Sequence, residues 1–571
     1  MSEHTDVTRR RFLIASGGAA TVTAAGCIGD DDNDDDGDDV DPGDDDNGDG
    51  DPVEEVNPWT NQKFRQGVAR LIPREDVIEQ IFGGHATALG GPISPGLGPF
   101  WDEDHEQQLL DDYVGEDPAA GEELLDEAFD ELGIEPPFEI SFITNVNRTR
   151  ERWMEVIQQT MDDTEYFDAN LDIQPFDQLV PFLTDPEGAA QSTDVVGIGW
   201  TGGSDPNGHV EQLVHSSTHV PAGFNWNLYA NDEADQLIEE GQRELDPDER
   251  VNIYHDLQEV LAQDVPDVYM WTSDQIDIID PDRVENWQPY PNSSLRYWAL
   301  YRPTVDQVAT QPGAGEDGEF IASLGANPST FDPTIVSDAT SNSAVGTMCY
   351  EGLFDLTFDL QEIRPALATD SEQIDDTTWE IEIREGVEFH NGDEMTPEDV
   401  QFSINRIAGT INDASVSYID ETEIDGNTLV VHNEFPYAAF LNDIGSVPIL
   451  PSDVDGITEE PTEDEFPFTE ESIGTGPWLL DEFVAEDRVE LSPNENYWWD
   501  GNDYPSSPPW ESVTFRVVPE QVSQHEAMLA GELDMIDNAA PFELDIWDDE
   551  PYEVVSGPAV GFDFISFPLS G

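Results

Sequence analysis

Residues 195–208, VVGIGWTGGSDPNG, end a short apolar run on an indole, a hydroxyl and two glycines. That set suits non-covalent capture. Trp200 offers apolar area, Thr201 a hydroxyl, and Gly202 lets a ligand approach the backbone. Trp200 reads equally as a core aromatic capping its own strand. Arg148 and Arg150, in NRTR, are able to grip a carboxylate through paired N–H bonds. In so acidic a chain each reads also as an ion-pair partner. Asn147-Arg148-Thr149 and Asn292-Ser293-Ser294 are glycosylation sequons, and a sugar on Asn147 would turn Arg148 away from a ligand. Phe176 and Tyr350 are candidate walls, with core packing as the competing role. His215 and His219 stand four apart in HSSTH, without the glutamate of a zinc protease helix. The His-Glu pairs at 105–106 and 525–526 lack a second histidine. Nothing forms a nucleophile–base set, a phosphate-cradling loop or a dinucleotide fingerprint. The expected chemistry is binding rather than turnover, with no cofactor and no metal.

The N-terminus carries the most specific short signals. Thr8-Arg9-Arg10-Arg11-Phe12-Leu13 resembles a twin-arginine export motif. The run 12–25 is too short and too small in side chain to span a bilayer. It ends in Ala24-Ala25-Gly26-Cys27, which resembles a lipobox, so Cys27 is the expected lipidation site. The chain is expected to be exported and anchored to the outer face of the membrane. The other cysteine, Cys349, reads as a small buried hydrophobe. GDDDNDDDGDDVDPGDDDNGDGDP follows Cys27 and cannot collapse. Asp32, Asp34, Asp36 and Gly37 mimic the start of a calcium loop, but Gly43 replaces the final glutamate, which leaves a solvated tether.

Acids continue far beyond that tether. With 20 basic and 127 acidic residues the formal charge is −107, and Lys63 is the single lysine. This whole-surface acidity resembles that of haloarchaeal proteins. At molar salt the Debye length is about 3 Å, so distant repulsion is screened; in dilute buffer the same charge strains the compact state. No basic patch exists to neutralise phosphates, which excludes nucleic acid.

The residues above need elements to hold them. Periodicity and caps predict helices over 74–82 (closed by Gly83-Gly84), 118–132 (opened by Asp117-Pro118), 150–161, 233–245 and 247–263 (capped by Asp246). Strands are expected over 138–143 and 195–200. The alternation implies an α/β fold. PTVDQVATQPGAGEDG (303–318) has the composition of a linker. A strand-rich region follows, with strands at 379–383, 428–432, 489–491 and 513–518. A hairpin partner for the first is expected at 387–389. Thr396-Pro397-Glu398-Asp399 starts a helix.

Several blocks of this later region resemble the peptide/nickel class of solute-binding proteins, family 5. They are Phe331-Asp332-Pro333, CYEGLFD (349–355), WEIEIREGVEFHNGDEMTPEDVQFSINRI (379–407), GTGPW (474–478), NENYWWDG (494–501) and AGELDMID (530–537). The earlier region resembles the other half of the same family, through FRQGVARLIPREDVIEQIFGG (64–84), GPISPG (91–96) and GWTGGSDPNG (199–208). Both halves are present in swapped order, as in a circular permutation; two partial copies that never close into one unit are the competing reading.

The resemblance implies two α/β lobes around a hinge, a periplasmic-binding-protein-like class II fold. The expected division is a signal at 1–27, a tether at 28–56 and a second lobe at 57–272. A return crossing at 273–302, a linker at 303–316 and a first lobe at 317–571 complete it. The break then falls at a hinge crossover after Gly571 and is expected to loosen the hinge. The implied protein is a monomeric receptor that captures a peptide or small-molecule ligand and passes it to the membrane subunits of an ABC permease. Phe331 joins Trp200, Thr201, Gly202, Arg148, Arg150, Phe176 and Tyr350 as a cleft candidate. Dipeptide-binding relatives place an Asp shortly after the tryptophan; Gly203 stands there, and Asp205 is expected to hold the turn. A secreted halophilic hydrolase and a binding-dead duplication remnant are the other readings.

Overall fold

The computed structural model describes residues 56–569 except 292–299, 301–317, 337–338, 359, 361, 411, 460, 462–467, 469–471, 500–507 and 509. The expectations for the export motif, Cys27, the tether, the Asn292 sequon and the 303–316 linker lie outside the described residues. Among the described residues, no helix is long and apolar enough to cross a membrane.

Helix starts follow their sequence signals. The Asp117 side chain accepts the Ala120 N–H ahead of Pro118–Leu132, and Asp246 caps Pro247–Asp264. Thr396 and Asp399 form a reciprocal capping box at Pro397–Ile407, which satisfies N–H groups that the first helical turn leaves without partners.

Two large sheets organise the molecule. The first has six strands, in the order Ala86–Ala88, Asp267–Ser273, Phe562–Ser566, Val195–Trp200, Phe138–Asn145 and Phe167–Gln174. The last three are mutually parallel, and helix Arg148–Asp162 packs over them. Their apolar residues are buried, with Phe142, Trp153, Met154 and Val195 almost wholly inaccessible, as expected of a parallel sheet covered by helices. The second sheet has seven strands, in the order Trp478–Val484, Arg488–Pro493, Ser512–Val517, Glu319–Leu324, Met535–Ile536, Gln275–Ile279 and Glu553–Gly557. A four-stranded sheet stands beside it: Ala368–Asp375, Thr378–Ile383, Thr428–Asn433 and Ile419–Asp425.

The 379–383 strand does not form the expected hairpin with 387–389. It pairs with Ala368–Asp375 and Thr428–Asn433 instead. The 387–395 segment closes on itself, with the Phe389 N–H on the Asp393 carbonyl and the Met395 N–H on the Val387 carbonyl, both at 2.8 Å. Val387, Phe389 and Met395 are thereby buried in the core of that subdomain, and this burial decides the pairing over local alternation.

Each large sheet takes one strand from the opposite half of the sequence. Phe562–Ser566 lies between Asp267–Ser273 and Val195–Trp200, while Gln275–Ile279 lies within the seven-stranded sheet. The same two chain segments pair antiparallel on both sides of the junction: Ser566 faces Asp267 in one sheet, and Gly557 faces Gln275 in the other. Among the described residues the chain thus passes between the two sheets twice, at Asp274 and at 558–561. The Asp274 N–H donates to the His85 carbonyl at 3.0 Å, and the Thr272 hydroxyl to the Ala559 carbonyl at 3.2 Å. The sequence placed a break at the hinge after Gly571. In the structure the chain has already crossed before Phe562, so both described crossings are intact. The sequence of residues 561–567 does not show which sheet they join, because their partners lie hundreds of residues away.

The far end of the chain then meets the beginning of the fold. The Asn57 side-chain amide donates to the Pro568 carbonyl at 2.9 Å. Trp59 stacks on Phe567 with ring centroids 4.7 Å apart.

Candidate ligand-binding cleft

Parallel strands Phe138–Asn145 and Val195–Trp200 end side by side, and ligands of open α/β sheets collect outside such carboxyl ends. The crossing segment lies against the same place. A β-carbon on Gly561 would sit 2.7 Å from the Trp200 carbonyl oxygen, so the turn after Trp200 is built into the hinge.

Trp200 is half-buried. Its indole N–H donates to the Gly208 carbonyl at 2.9 Å, and its ring meets Phe224 edge-on at 5.4 Å. Thr201 is exposed. Gly202 adopts φ +59°, and a β-carbon there would lie 2.1 Å from the His209 ring. Glycine is required twice over, by the left-handed backbone and by the imidazole against it. His209 is fully buried, and its Nε2 donates to the Gly203 carbonyl at 2.8 Å. Burial pushes its pKa down to about 4, so the ring is neutral and serves as a strut beneath the turn. Asp205 does hold the turn. It accepts the Asn207 N–H at 2.9 Å and a two-pronged bond from Arg250, each arm 2.7 Å.

The two arginines have different roles. Arg150 donates to Asp563 through Nη2 at 2.9 Å, and through Nη1 to the Asn145 side chain at 2.5 Å. Gly199 leaves room for this pair; a β-carbon there would lie 2.4 Å from Arg150 Nη2. Arg148, the first residue of its helix, reaches the other lobe. It donates to Gln521 at 2.7 Å and Glu543 at 2.9 Å. Arg152 lies 3.8 Å over the Phe542 ring beside it. Asn147 is the N-cap of this helix and accepts the Arg150 N–H.

Phe176 opens helix Phe176–Thr184. Phe331 and Tyr350 sit in the core of the 317–571 region rather than on a wall. Phe331 meets Phe483 edge-on at 5.0 Å, and the Tyr350 hydroxyl donates to the Phe331 carbonyl at 3.2 Å. Both are buried, Tyr350 almost completely. The structure therefore brings Trp200, Thr201, Gly202 and Arg150 together at one sheet end, bonds Arg148 to Gln521 and Glu543, and buries Phe331 and Tyr350 elsewhere.

His215 and His219 do not share a helix. His215 precedes the short turn Ser216–Thr218, and the His219 Nε2 donates to the Tyr229 carbonyl at 2.8 Å. Among the described residues no group of three His, Cys, Asp or Glu is placed to hold a metal. Cys349 is buried, and burial pushes its thiol up to about 12. Asp563, Gln521 and Glu543 are partners of these arginines that sequence reading missed. They lie in an acid-rich chain with no local motif, and only the fold brings them to their arginines.

The profile of the bacterial extracellular solute-binding proteins, family 5 (middle), matches residues 47–219 and 362–570. The chain belongs to this family. Its fold is the mixed α/β, two-lobed fold of family 5 solute-binding proteins. The glutathione-binding protein GsiB of Escherichia coli O1:K1 / APEC is 26% identical over 223 residues, covering 38% of this chain and 41% of that protein. GsiB of Shigella boydii serotype 4 (strain Sb227) is 27% identical over the same length, with the same coverage. The chain thus spans about two-fifths of the length of the curated relatives it matches. The oligopeptide-binding protein AppA of Bacillus subtilis, solved with a nonapeptide, is 21% identical. The match covers 38% of this chain and 43% of that one, with a TM-score of 0.35. NikZ of Campylobacter jejuni, solved with Ni(L-His), is 20% identical over 41% of this chain and 46% of that one, with a TM-score of 0.36.

Proposed function

We propose that this protein is the solute receptor of an ABC import system, which captures an oligopeptide-like or other small polar solute by lobe closure and delivers it to a permease. The carrying observation is the pair of crossings. Two sheets whose strands pass from one to the other at Asp274 and at 558–561, with a glycine-rich turn built against one crossing, can rock about that line. A ligand with higher affinity for the closed state shifts the population toward it. Family membership supports the same reading, and the relatives include binders of glutathione, peptides and nickel–histidine. The residues gathered at the Trp200 turn are groups that bind non-covalently, which supports a receptor.

The remaining features fit a monomeric halophilic lipoprotein exported through its twin-arginine signal and held by Cys27. Its two halves are circularly permuted, with the Asn57–Pro568 contact replacing the original chain join. Native mass spectrometry of protein purified in molar salt tests the function. A stoichiometric co-purified solute, released on unfolding and restoring a melting shift when added back, is expected. Turnover of a bound compound would favour the hydrolase reading. No melting shift from the released small molecules or from peptides would favour the binding-dead remnant.

A further inference from the structure

The turn Pro541–Trp547, which precedes the second crossing, faces two cores at once. Leu544 and Trp547 pack with Ile276, Ile278 and Ile536 of the seven-stranded sheet. Phe542 packs instead against the core beneath helix Arg148–Asp162, in the lobe of the six-stranded sheet. Two guanidiniums, four residues apart on that helix, meet its ring: Arg152 at 3.8 Å and Arg148 at 5.3 Å. The lobes meet in the same way at a second place. Arg243 ends helix Asp232–Arg243, and its guanidinium lies 5.1 Å over the Phe435 ring. Phe435 packs on the core of the four-stranded subdomain. Close by, the Ala438 N–H donates to the Gln242 carbonyl at 2.8 Å.

From this arrangement we infer that the lobes are clasped by arginine–phenylalanine contacts on both faces of the six-stranded sheet, Arg152 on Phe542 and Arg243 on Phe435, and that these contacts set the closed/open ratio of the solute-free protein. The inference rests on the reading of the protein as a receptor that works by lobe closure.

The two faces are read from the strands. Helix Arg148–Asp162 shares a core with Phe142, Val195 and Met270, and helix Asp232–Arg243 with Ile143, Val196 and Tyr269. Each of those pairs is adjacent in one strand, and adjacent strand residues point to opposite faces. The crossing strands are themselves members of this sheet. Rocking that parts the lobes on either face therefore separates the contact on that face. The Arg148–Glu543 pair also spans the lobes, but the arginine is 51% exposed. Exposed ion pairs are weak, and at molar salt the Debye length is about 3 Å. Salt does not screen the apolar area that a ring covers, and a guanidinium is weakly hydrated and stacks readily. An exposed contact of this kind shifts an equilibrium by about two- to fivefold.

The test is X-ray scattering and an inter-lobe label distance on the full chain in molar salt, without added solute. At least one of Arg152→Ala and Arg243→Ala should lower the closed/open ratio by about two- to fivefold. Arg152 is exposed, so its variant should keep the folded circular dichroism spectrum. Phe542→Leu should lower the ratio where Arg152→Ala does, and Phe435→Leu where Arg243→Ala does. Glu543→Gln should leave the ratio at the wild-type value. Two arginine variants with wild-type distance distributions overturn the inference. So does a Glu543→Gln variant that opens as far as Arg152→Ala, which would assign the hold to the ion pair. Solute binding, measured separately by melting shift, decides the receptor reading whichever way the lobes respond.

Discussion

Trp59 and Phe567 are the sharpest place to ask whether the two halves of the sequence form one unit. Both are buried, Trp59 at 2% exposure and Phe567 at 0%. Their rings stack at 4.7 Å and 15°. Truncating a buried Trp or Phe to alanine costs about 3–5 kcal/mol. Stacked aromatic pairs add about 0.5–1.5 kcal/mol beyond area. Trp59→Ala and Phe567→Ala should therefore each destabilise the same cooperative transition by about 3–5 kcal/mol. The double variant should fall short of additivity by about 0.5–1.5 kcal/mol, because the stacking can be lost only once. Urea unfolding in molar potassium chloride, followed by tryptophan fluorescence and circular dichroism, gives the three numbers from shifts in midpoint at constant slope. Strict additivity, or Phe567→Ala leaving the transition that Trp59→Ala weakens untouched, would show that residues 57–272 fold without the final strand. The circular permutation would then be wrong.

Other expectations follow from single sites. Burial pushes the Asp267 carboxyl up to about 7 despite bonds from Ser566 and Asn227. Its contribution to stability is full below its unfolded value of ~3.9 and is lost as pH rises through about 7. Asp267→Asn should flatten the stability–pH curve in that window, read by melting temperature. Arg406 and Asp332 pair at 2.5 Å with 0% and 1% side-chain exposure. Asp332→Ala should cost about 3–5 kcal/mol in urea unfolding, because it removes a carboxylate bonded to a buried guanidinium. Transfer from molar to ~10 mM salt, where the Debye length is ~30 Å, should unfold the protein; an unchanged circular dichroism spectrum would contradict the halophilic reading. Gly202→Ala should abolish solute-dependent melting shifts, since its β-carbon would meet the His209 ring.

Local structure was legible where one short stretch decides it. Asp117-Pro118, Asp246-Pro247 and Thr396-Pro397 announced helix starts, because the cap and its N–H partners are near neighbours in sequence. The Val195–Trp200 strand and the turn glycine after it were legible for the same reason. What escaped were pairings across the chain. Nothing in FDFIS marks it as a central strand of a sheet made from residues before 274. Asp563 carries no sign that it will neutralise Arg150, and among so many acids the partner is chosen by geometry alone. Tyr350 and Phe331 had the right chemistry for a wall, but their neighbours in the core claimed them.

The placement of Phe562–Ser566 has a consequence for biogenesis. Every other strand of its sheet is complete once residue 273 has been made, yet the slot between Asp267–Ser273 and Val195–Trp200 stays vacant until the ribosome has added hundreds of further residues. A nascent chain cannot finish its first-made lobe before its second, which reverses the usual N-to-C order of domain folding. During that interval two strand edges lie open, with the backbone groups that invite pairing with another chain.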